Sequence, residues 1–241
     1  MVAPRFSEAR YEEGLYFAKA SRNAVRTMSD WRAHFRRGPR GEHFHVNTTE
    51  TLKVVVGGES SAEGIWTIGH STRSTEEFLA LLHDHAIDSL LDVRSFPGSR
   101  RCPQFGRETM SSWLAKDAIT YQHASDLGGR RNRQTDVDAT INGGWHNASF
   151  RNYADYTVGD TYQTAIVQLA TTAQASRVAF MCSEALPWRC HRSLIANTLV
   201  ARDWAVHHIM SVEKVIEHRL GAWGPEPLVA HGRVTYPESH D

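Results

Sequence analysis

The chain has 241 residues, of which 41 % are hydrophobic and 22 % charged, and its 27 Lys and Arg residues balance its 27 Asp and Glu residues. This apolar content is ordinary for a folded globular protein and excludes a wholly disordered chain, while the net charge of zero favours no class of partner. No apolar run reaches the roughly 18 residues of a membrane span, so we expect no membrane partner. The first residues contain no apolar segment typical of a secretory signal, and three Cys are too few for a disulfide framework. Both features predict a cytoplasmic protein.

The composition changes along the chain and divides it into three parts. Residues 1–60 have weak hydrophobic periodicity, and they are expected to form a peripheral or partly disordered N-terminal extension. Residues 61–220 carry the clear pattern of an α/β domain. Residues 221–241 contain three Pro and are expected to be a loop-like C-terminal tail.

Strand and helix patterns alternate from residue 65 onward. The predicted strands are Ile65–Gly69, Ser89–Val93, Ile119–Tyr121, Arg177–Met181 and Ala205–Ile209. The predicted helices are one capped by Ser74 with Glu77 completing a capping box, then Arg107–Lys116, Tyr153–Ala173 with a break at Gly159, Ser193–Arg202 and Ser211–Arg219. This alternation predicts an open, mostly parallel sheet with helices on both faces, a Rossmann-like three-layer α/β fold.

Polar and charged side chains follow three of the predicted strands. Parallel sheets bind ligands beyond the carboxyl ends of their strands, so these groups are expected to converge on one cleft. The residues at these ends are His70 and Ser71, then Asp92, Arg94, Ser99 and Arg100, then Glu184, Cys190, His191 and Arg192.

Four motifs in this region resemble the family known as domain of unknown function 488. The resemblance covers about residues 65–210, and it implies a fold and a site more directly than a reaction. The motifs are Thr67-Ile68-Gly69-His70-Ser71, Leu91-Asp92-Val93-Arg94, Leu127-Gly128-Gly129-Arg130, and Cys182-Ser183-Glu184 followed by Cys190-His191-Arg192.

The carboxylates and imidazoles suggest hydrolysis. We expect Glu184 to activate water, Asp92 to orient a His or Arg, and His70 or His191 to donate a proton to the leaving group. The alternative for Asp92 is a structural salt bridge to Arg94 or Arg192.

Basic loops interleaved with aromatic residues predict contact with a nucleic acid or a nucleotide. The residues expected to bind the substrate are Ser71, Arg94, Ser99, Arg100, Arg130, Tyr153 and Arg192. The most concrete hypothesis is a DNA-glycosylase-like hydrolase that cleaves an N-glycosidic bond, and it requires no cofactor. The alternative is a protein that binds a nucleic acid or a nucleotide without catalysing a reaction.

The cysteines support another hypothesis, a rhodanese-like sulfur-transfer or redox enzyme with Cys190 as its nucleophile at a helix N-terminus. However, the Cys182-Ser183-Glu184 segment is not the short cradle of a rhodanese. A metal site made of Cys182, Cys190, His191 and His70 is disfavoured because the Cys residues lack tight spacing and adjacent Cys and His rarely ligate one ion. The sequence therefore predicts no metal.

Overall fold

The computed structural model describes residues 64–98 and 100–238, which form a six-stranded sheet between two layers of helices. The strands are β1 (Gly64–Gly69), β2 (Ser89–Asp92), β3 (Thr120–His123), β4 (Val178–Cys182), β5 (Ala205–Ser211) and β6 (Lys214–Glu217), in the order β3-β2-β4-β1-β5-β6. The helices are α1 (Thr75–Asp84), α2 (Arg107–Lys116), α3 (Ala148–Thr157), α4 (Asp160–Ala175) and α5 (Arg192–Val200). Strands β1 to β5 are parallel, which confirms the predicted fold class.

The side chains of the central strands point alternately to the two faces of the sheet, which explains the two hydrophobic cores. Val178 and Phe180 of β4 pack in one core with α3, α4 and α5, whereas Ala179 and Met181 pack in the other with α1 and α2. Successive side chains of a strand point to opposite faces, so a wholly apolar strand is suited to the centre of a three-layer fold. Within the described ranges, no helix combines the length and hydropathy that crossing a bilayer requires.

The start of α1 confirms the predicted capping box. The Ser74 side chain accepts a hydrogen bond from the backbone N–H of Glu77, and the Glu77 carboxylate accepts one from the backbone N–H of Ser74. These bonds satisfy N–H groups that have no partner inside the helix, and they end the loop that carries His70 away from β1.

The structure corrects two predictions near the C-terminus. The predicted helix Ser211–Arg219 is wrong, because β5 continues to Ser211 and the chain returns as β6, antiparallel to β5. A return this short suits an edge strand better than a helix. The tail contains a hairpin of β7 (Leu228–Ala230) and β8 (Arg233–Thr235) rather than loop alone. The expected extension over residues 1–60 lies outside the described residues, and the division into three parts stays a prediction.

A chain of buried hydrogen bonds joins the tail to the centre of the sheet. Asn197 Oδ1 accepts from His218 Nε2 (2.8 Å), so His218 Nδ1 carries a lone pair and accepts from His208 Nε2 (3.0 Å). Asn197 also donates to the hydroxyl of Tyr236, which is buried (2.8 Å). Both imidazoles must therefore be neutral. Burial lowers the pKa of His218 to about 4, and burial together with His218 lowers the pKa of His208 to about 2.

We predict that the folded state loses stability as the pH falls from about 6.5 toward 4. The unfolded chain protonates its imidazoles in this window and the folded chain keeps His218 neutral, so each such group contributes a slope of about 1.4 kcal/mol per pH unit. Urea unfolding at several pH values measures this slope. His218→Gln should reduce this slope by about 1.4 kcal/mol per pH unit, the contribution of one proton. His146→Gln, at an exposed position, should leave the slope unchanged. Equal slopes for the wild type and His218→Gln would contradict the assigned network.

Candidate functional site

A pocket of about 560 Å³ opens at the carboxyl ends of β1, β2 and β4. Its position is the one expected for a ligand site in a parallel sheet. The lining residues come from the loops that follow these three strands and β3, from the start of α3 and from the turn before α5. They are His70, Arg94, Ser95, Phe96, Gly98, Gly129, Arg130, Ser149, Phe150, Tyr153, Cys182, Ser183, Glu184, Arg189, Cys190 and His191.

Asp92 does not reach this pocket, which corrects its predicted catalytic position. It is fully enclosed, and its carboxylate accepts hydrogen bonds from Arg94 Nε (2.8 Å), Arg94 Nη2 (2.6 Å), the Arg94 backbone N–H (3.0 Å) and the Tyr121 hydroxyl (2.8 Å). Burial and the Asp92 charge raise the pKa of Tyr121, so its hydroxyl keeps its proton. Each oxygen of this carboxylate already accepts two hydrogen bonds, and the salt bridge to Arg94 expected as the alternative is present.

The Asp92 pair fixes the position of the Arg94 guanidinium at the pocket. Arg94 also donates to the Phe105 carbonyl (2.9 Å) and to His70 Nε2 (3.2 Å). Burial opposes the charge on Arg94, but Asp92 outweighs it and raises the pKa above its ordinary value. One N–H of Nη1 has no partner among the described residues, and it is a rigid, charged donor for a substrate.

Both ring nitrogens of His70 are engaged within the protein, so neither can donate a proton to a leaving group in this arrangement. Its Nδ1 donates to the Ser71 carbonyl (2.8 Å), so Nε2 carries the lone pair that accepts from Arg94. Burial and the Arg94 charge lower the pKa of His70 to about 4, and its ring stacks on Phe105 at 4.3 Å. His70 therefore lines the pocket as a neutral support for Arg94.

Glu184 is the carboxylate that faces the pocket and is only partly buried. Its Oε1 accepts from the Leu186 backbone N–H (3.2 Å), and no ion pair of the described residues involves it. The buried Arg192 holds this loop from behind, donating to the Glu184 carbonyl (2.6 Å), the Ala185 carbonyl (3.3 Å) and the Thr67 hydroxyl (2.7 Å). Arg192 is therefore behind the pocket wall, not a substrate ligand as predicted.

Two thiols and an imidazole lie together in the wall beside Glu184. The ligand atoms of Cys182, Cys190 and His191 all lie within 4.8 Å of one another, and Cys190 Sγ is 3.5 Å from His191 Nδ1. Burial opposes ionisation of Cys190, but a hydrogen bond from Cys182 and the charge of Arg192 lower its pKa to about 6. The hydrogen bond to Cys190, together with burial, raises the pKa of Cys182 to about 12. The two shifts have opposite directions because the two thiols interact directly, so they titrate as a coupled pair.

Basic and aromatic side chains form the mouth of the pocket. The Arg130 guanidinium lies 5.9 Å from the centre of the Phe96 ring, which is 72 % exposed. Phe150 stacks on Trp145 at 4.8 Å, and Tyr153 contacts the His191 ring edge-on at 5.0 Å. Exposed aromatic and guanidinium groups together can stack a base and contact a phosphate.

The structure brings together seven of the residues named from the sequence. These are His70, Arg94, Arg130, Tyr153, Glu184, Cys190 and His191. Asp92, Ser71, Arg100 and Arg192 do not line the pocket, and Ser99 lies outside the described residues. Sequence reasoning did not assign the lining residues Ser95 and Gly98, although the predicted convergence of the loops placed them near the site.

Two glycines of the quoted motifs allow the backbone to approach the site closely. A Cβ at Gly69 would lie 2.0 Å from the Glu184 carbonyl oxygen, and a Cβ at Gly129 would lie 2.3 Å from His191 Nδ1. Real Cβ atoms do not make such contacts. The two positions therefore fix the loop of Glu184 against β1 and the ring of His191 against the 128–130 turn.

Comparison with known proteins places the chain in a family. Residues 74–199, a little over half of the chain, match the family described as domain of unknown function DUF488, and the chain belongs to this family. The match covers the loops of Arg94, Gly129, Glu184 and His191. No curated protein and no solved structure matches the chain.

We predict that Gly129→Ala destabilises the protein and Gly98→Ala does not. Both glycines line the pocket, but a Cβ at Gly98 meets nothing within 4 Å, whereas one at Gly129 overlaps the His191 ring. Overpacking of this kind costs about 1–3 kcal/mol. Urea denaturation of the two variants measures the difference, and equal unfolding free energies would contradict the close contact of Gly129 with His191.

Proposed function

We propose that this member of the DUF488 family is a hydrolase that acts on a nucleic acid or a nucleotide, most concretely by cleaving an N-glycosidic bond. The observation that carries the proposal is one pocket whose lining combines Glu184, which forms no ion pair with another described residue, with Arg and aromatic side chains. We further propose that the protein works in the cytoplasm, because three cysteines are too few for the disulfide framework typical of small secreted proteins.

The size and charge of the pocket support a nucleotide unit as the substrate. A cavity of about 560 Å³ is within the usual range for small-molecule sites. Arg94, Arg130 and Arg189 supply positive charge for a phosphate, while Phe96 and Phe150 supply faces on which a base can stack. A base in a duplex would have to leave the helix to reach the wall of this pocket.

Glu184 supports hydrolysis because it is the pocket carboxylate whose oxygens are not committed to a cation. A carboxylate in this position can accept a proton from water, and it can stabilise the positive charge that develops on the sugar when a glycosidic bond breaks. Asp92 is excluded from that role by its four hydrogen bonds. Charged donors in the pocket lining, such as Arg189, can stabilise the departing base by hydrogen bonds without giving up a proton, and the base then takes its proton from solvent rather than from His70.

We expect Glu184→Gln to abolish turnover and to leave substrate binding intact. The wild type and the variant are incubated with single-stranded DNA and RNA that contain modified or unmodified bases, and with free nucleosides, and the products are identified by mass. The wild type should release a free base from one of these substrates. Glu184→Gln should lower that rate by about 10²–10⁴-fold, the usual contribution of a general base, with an affinity close to that of the wild type.

The control is Glu108→Gln, at an exposed position in the first turn of α2, which should retain the full rate. Cleavage of a phosphodiester bond would support a nucleic acid as the substrate, but it would contradict the proposed cleavage of an N-glycosidic bond. Substrate binding without turnover in the wild type would favour the binding module. Equal rates for the wild type and Glu184→Gln would overturn the role of Glu184.

A second candidate function is sulfur transfer, and one observation favours it. Cys190 lies in the pocket wall directly before α5, with its sulfur 3.5 Å from His191 Nδ1, a Cys–His pair of the kind found in thiol enzymes. Formation of thiocyanate from thiosulfate and cyanide measures this activity. Activity that Cys190→Ser removes would support it, and no thiocyanate from the wild type would exclude this reaction.

A further inference from the structure

The wall of the pocket contains three soft ligand groups that the proposed hydrolysis does not use. Cys182 is the last residue of β4, and Cys190 and His191 end the loop that leads into α5. Their sulfur and nitrogen atoms lie within 4.8 Å of one another, although the chain between them runs through Glu184 and a short 3₁₀ turn at Pro187–Arg189. The fold, rather than a short sequence motif, brings the three together.

We propose that Cys182 Sγ, Cys190 Sγ and His191 Nδ1 bind a divalent transition-metal ion, for which Zn²⁺ is the best match, with a fourth position open to the pocket. Thiolate and imidazole are the ligands that Zn²⁺ prefers, at about 2.3 Å for sulfur and about 2.05 Å for nitrogen. The site stands on this geometry alone and does not depend on the bond that the enzyme cleaves.

The distance between Cys190 Sγ and His191 Nδ1 fits tetrahedral coordination. With those bond lengths, a tetrahedral ion separates a sulfur from a nitrogen by about 3.6 Å and two sulfurs by about 3.8 Å. Cys190 Sγ and His191 Nδ1 are 3.5 Å apart. The sequence argument against adjacent Cys and His ligands therefore does not apply here, because the turn of the backbone at the start of α5 directs both side chains to the same point.

The hydrogen bonds of His191 independently support the site. His191 Nε2 donates to the Val93 carbonyl (3.0 Å), so Nδ1 presents its lone pair to the two sulfurs. Metal-bound imidazoles usually donate their other N–H to a carbonyl or a carboxylate, which fixes both the tautomer and the ring orientation. The Tyr153 ring packs edge-on against His191, and the backbone of Gly129 passes close to Nδ1.

The charges of the site are compatible with two thiolate ligands. The buried Nε of Arg192, the residue that directly follows His191, has no hydrogen-bond partner among the described residues. Two thiolates neutralise a divalent ion, so the guanidinium faces a neutral centre rather than a bare dication. An N–H donor from Arg192 to a metal-bound sulfur would serve as an outer partner of the ligand.

The open fourth position gives the ion a chemical role. All three ligands line the pocket that also contains Glu184, and the cluster includes no fourth His, Cys, Asp or Glu within the described part of the chain. Three protein ligands with one open position are typical of catalytic rather than structural zinc. A Cys₂His ion beside a glutamate is also a donor set that activates water in hydrolytic enzymes acting on nucleobases.

Cobalt binding tests the site without reference to activity. The full-length protein is freed of metal by a chelator, kept reduced, and titrated with Co²⁺. One equivalent should produce the visible ligand-field bands of tetrahedral cobalt and a thiolate-to-cobalt charge-transfer band, and Zn²⁺ should displace it. Cys182→Ser, Cys190→Ser and His191→Gln should each weaken binding by at least about 100-fold, since loss of an outer partner alone costs 10–100-fold.

Cys102→Ser is the matched control, because Cys102 is also buried but is not part of the cluster, and it should bind Co²⁺ as the wild type does. A second measurement on the unmodified chain guards against variants that fail to fold. Zn²⁺ should slow alkylation of Cys182 and Cys190 by iodoacetamide, as mapped by mass. Octahedral cobalt spectra, an unchanged alkylation rate, or wild-type affinity in the Cys190→Ser variant would each overturn the site.

Discussion

The buried guanidinium of Arg192 is the interaction on which the pocket depends. It joins the carbonyls of Glu184 and Ala185 to the Thr67 hydroxyl of β1, so the loop after β4 is bound to the neighbouring strand. That loop begins at Cys182 and ends at Cys190. One buried cation thus determines where a carboxylate and two sulfurs lie, and carbonyl oxygens compensate its charge without using a side-chain carboxylate.

The buried ion pair of Asp92 and Arg94 affects the opposite side of the pocket. Asp92 is paired with Arg94 and accepts a hydrogen bond from Tyr121, and this ion pair holds the Arg94 guanidinium rigidly at the wall of the pocket. The result is an asymmetric pocket, with fixed positive charge on the side of β2 and an uncommitted carboxylate on the side of β4. Such an arrangement binds an anionic group at one end and places a proton acceptor at the other.

The sequence predicted the architecture well because it depends on local patterns. The apolar run Val178–Met181 and the turn residues after each strand are enough to predict a central parallel strand and a site at its carboxyl end. The sequence did not distinguish Asp92 from Glu184, because both follow strands and only the packing of Tyr121 and Arg94 encloses one of them. It also missed β6, since a four-residue edge strand is too short to show alternation. The convergence of Cys182 and His191 depends on the path of an intervening loop, which spacing alone does not give.

The salt dependence of binding tests the central claim, that this pocket contacts a nucleotide backbone through its Arg residues, most directly. Fluorescence anisotropy of a labelled single-stranded oligonucleotide is measured over a range of salt concentrations for the wild type, Arg130→Ala and Lys116→Ala, the last at an exposed position of α2 away from the pocket lining. We expect Arg130→Ala to make the negative slope of log K against log salt shallower by about 0.7, the value for one phosphate contact on a single strand, and Lys116→Ala to leave it unchanged. Binding without salt dependence, or an unchanged slope for Arg130→Ala, would contradict this contact.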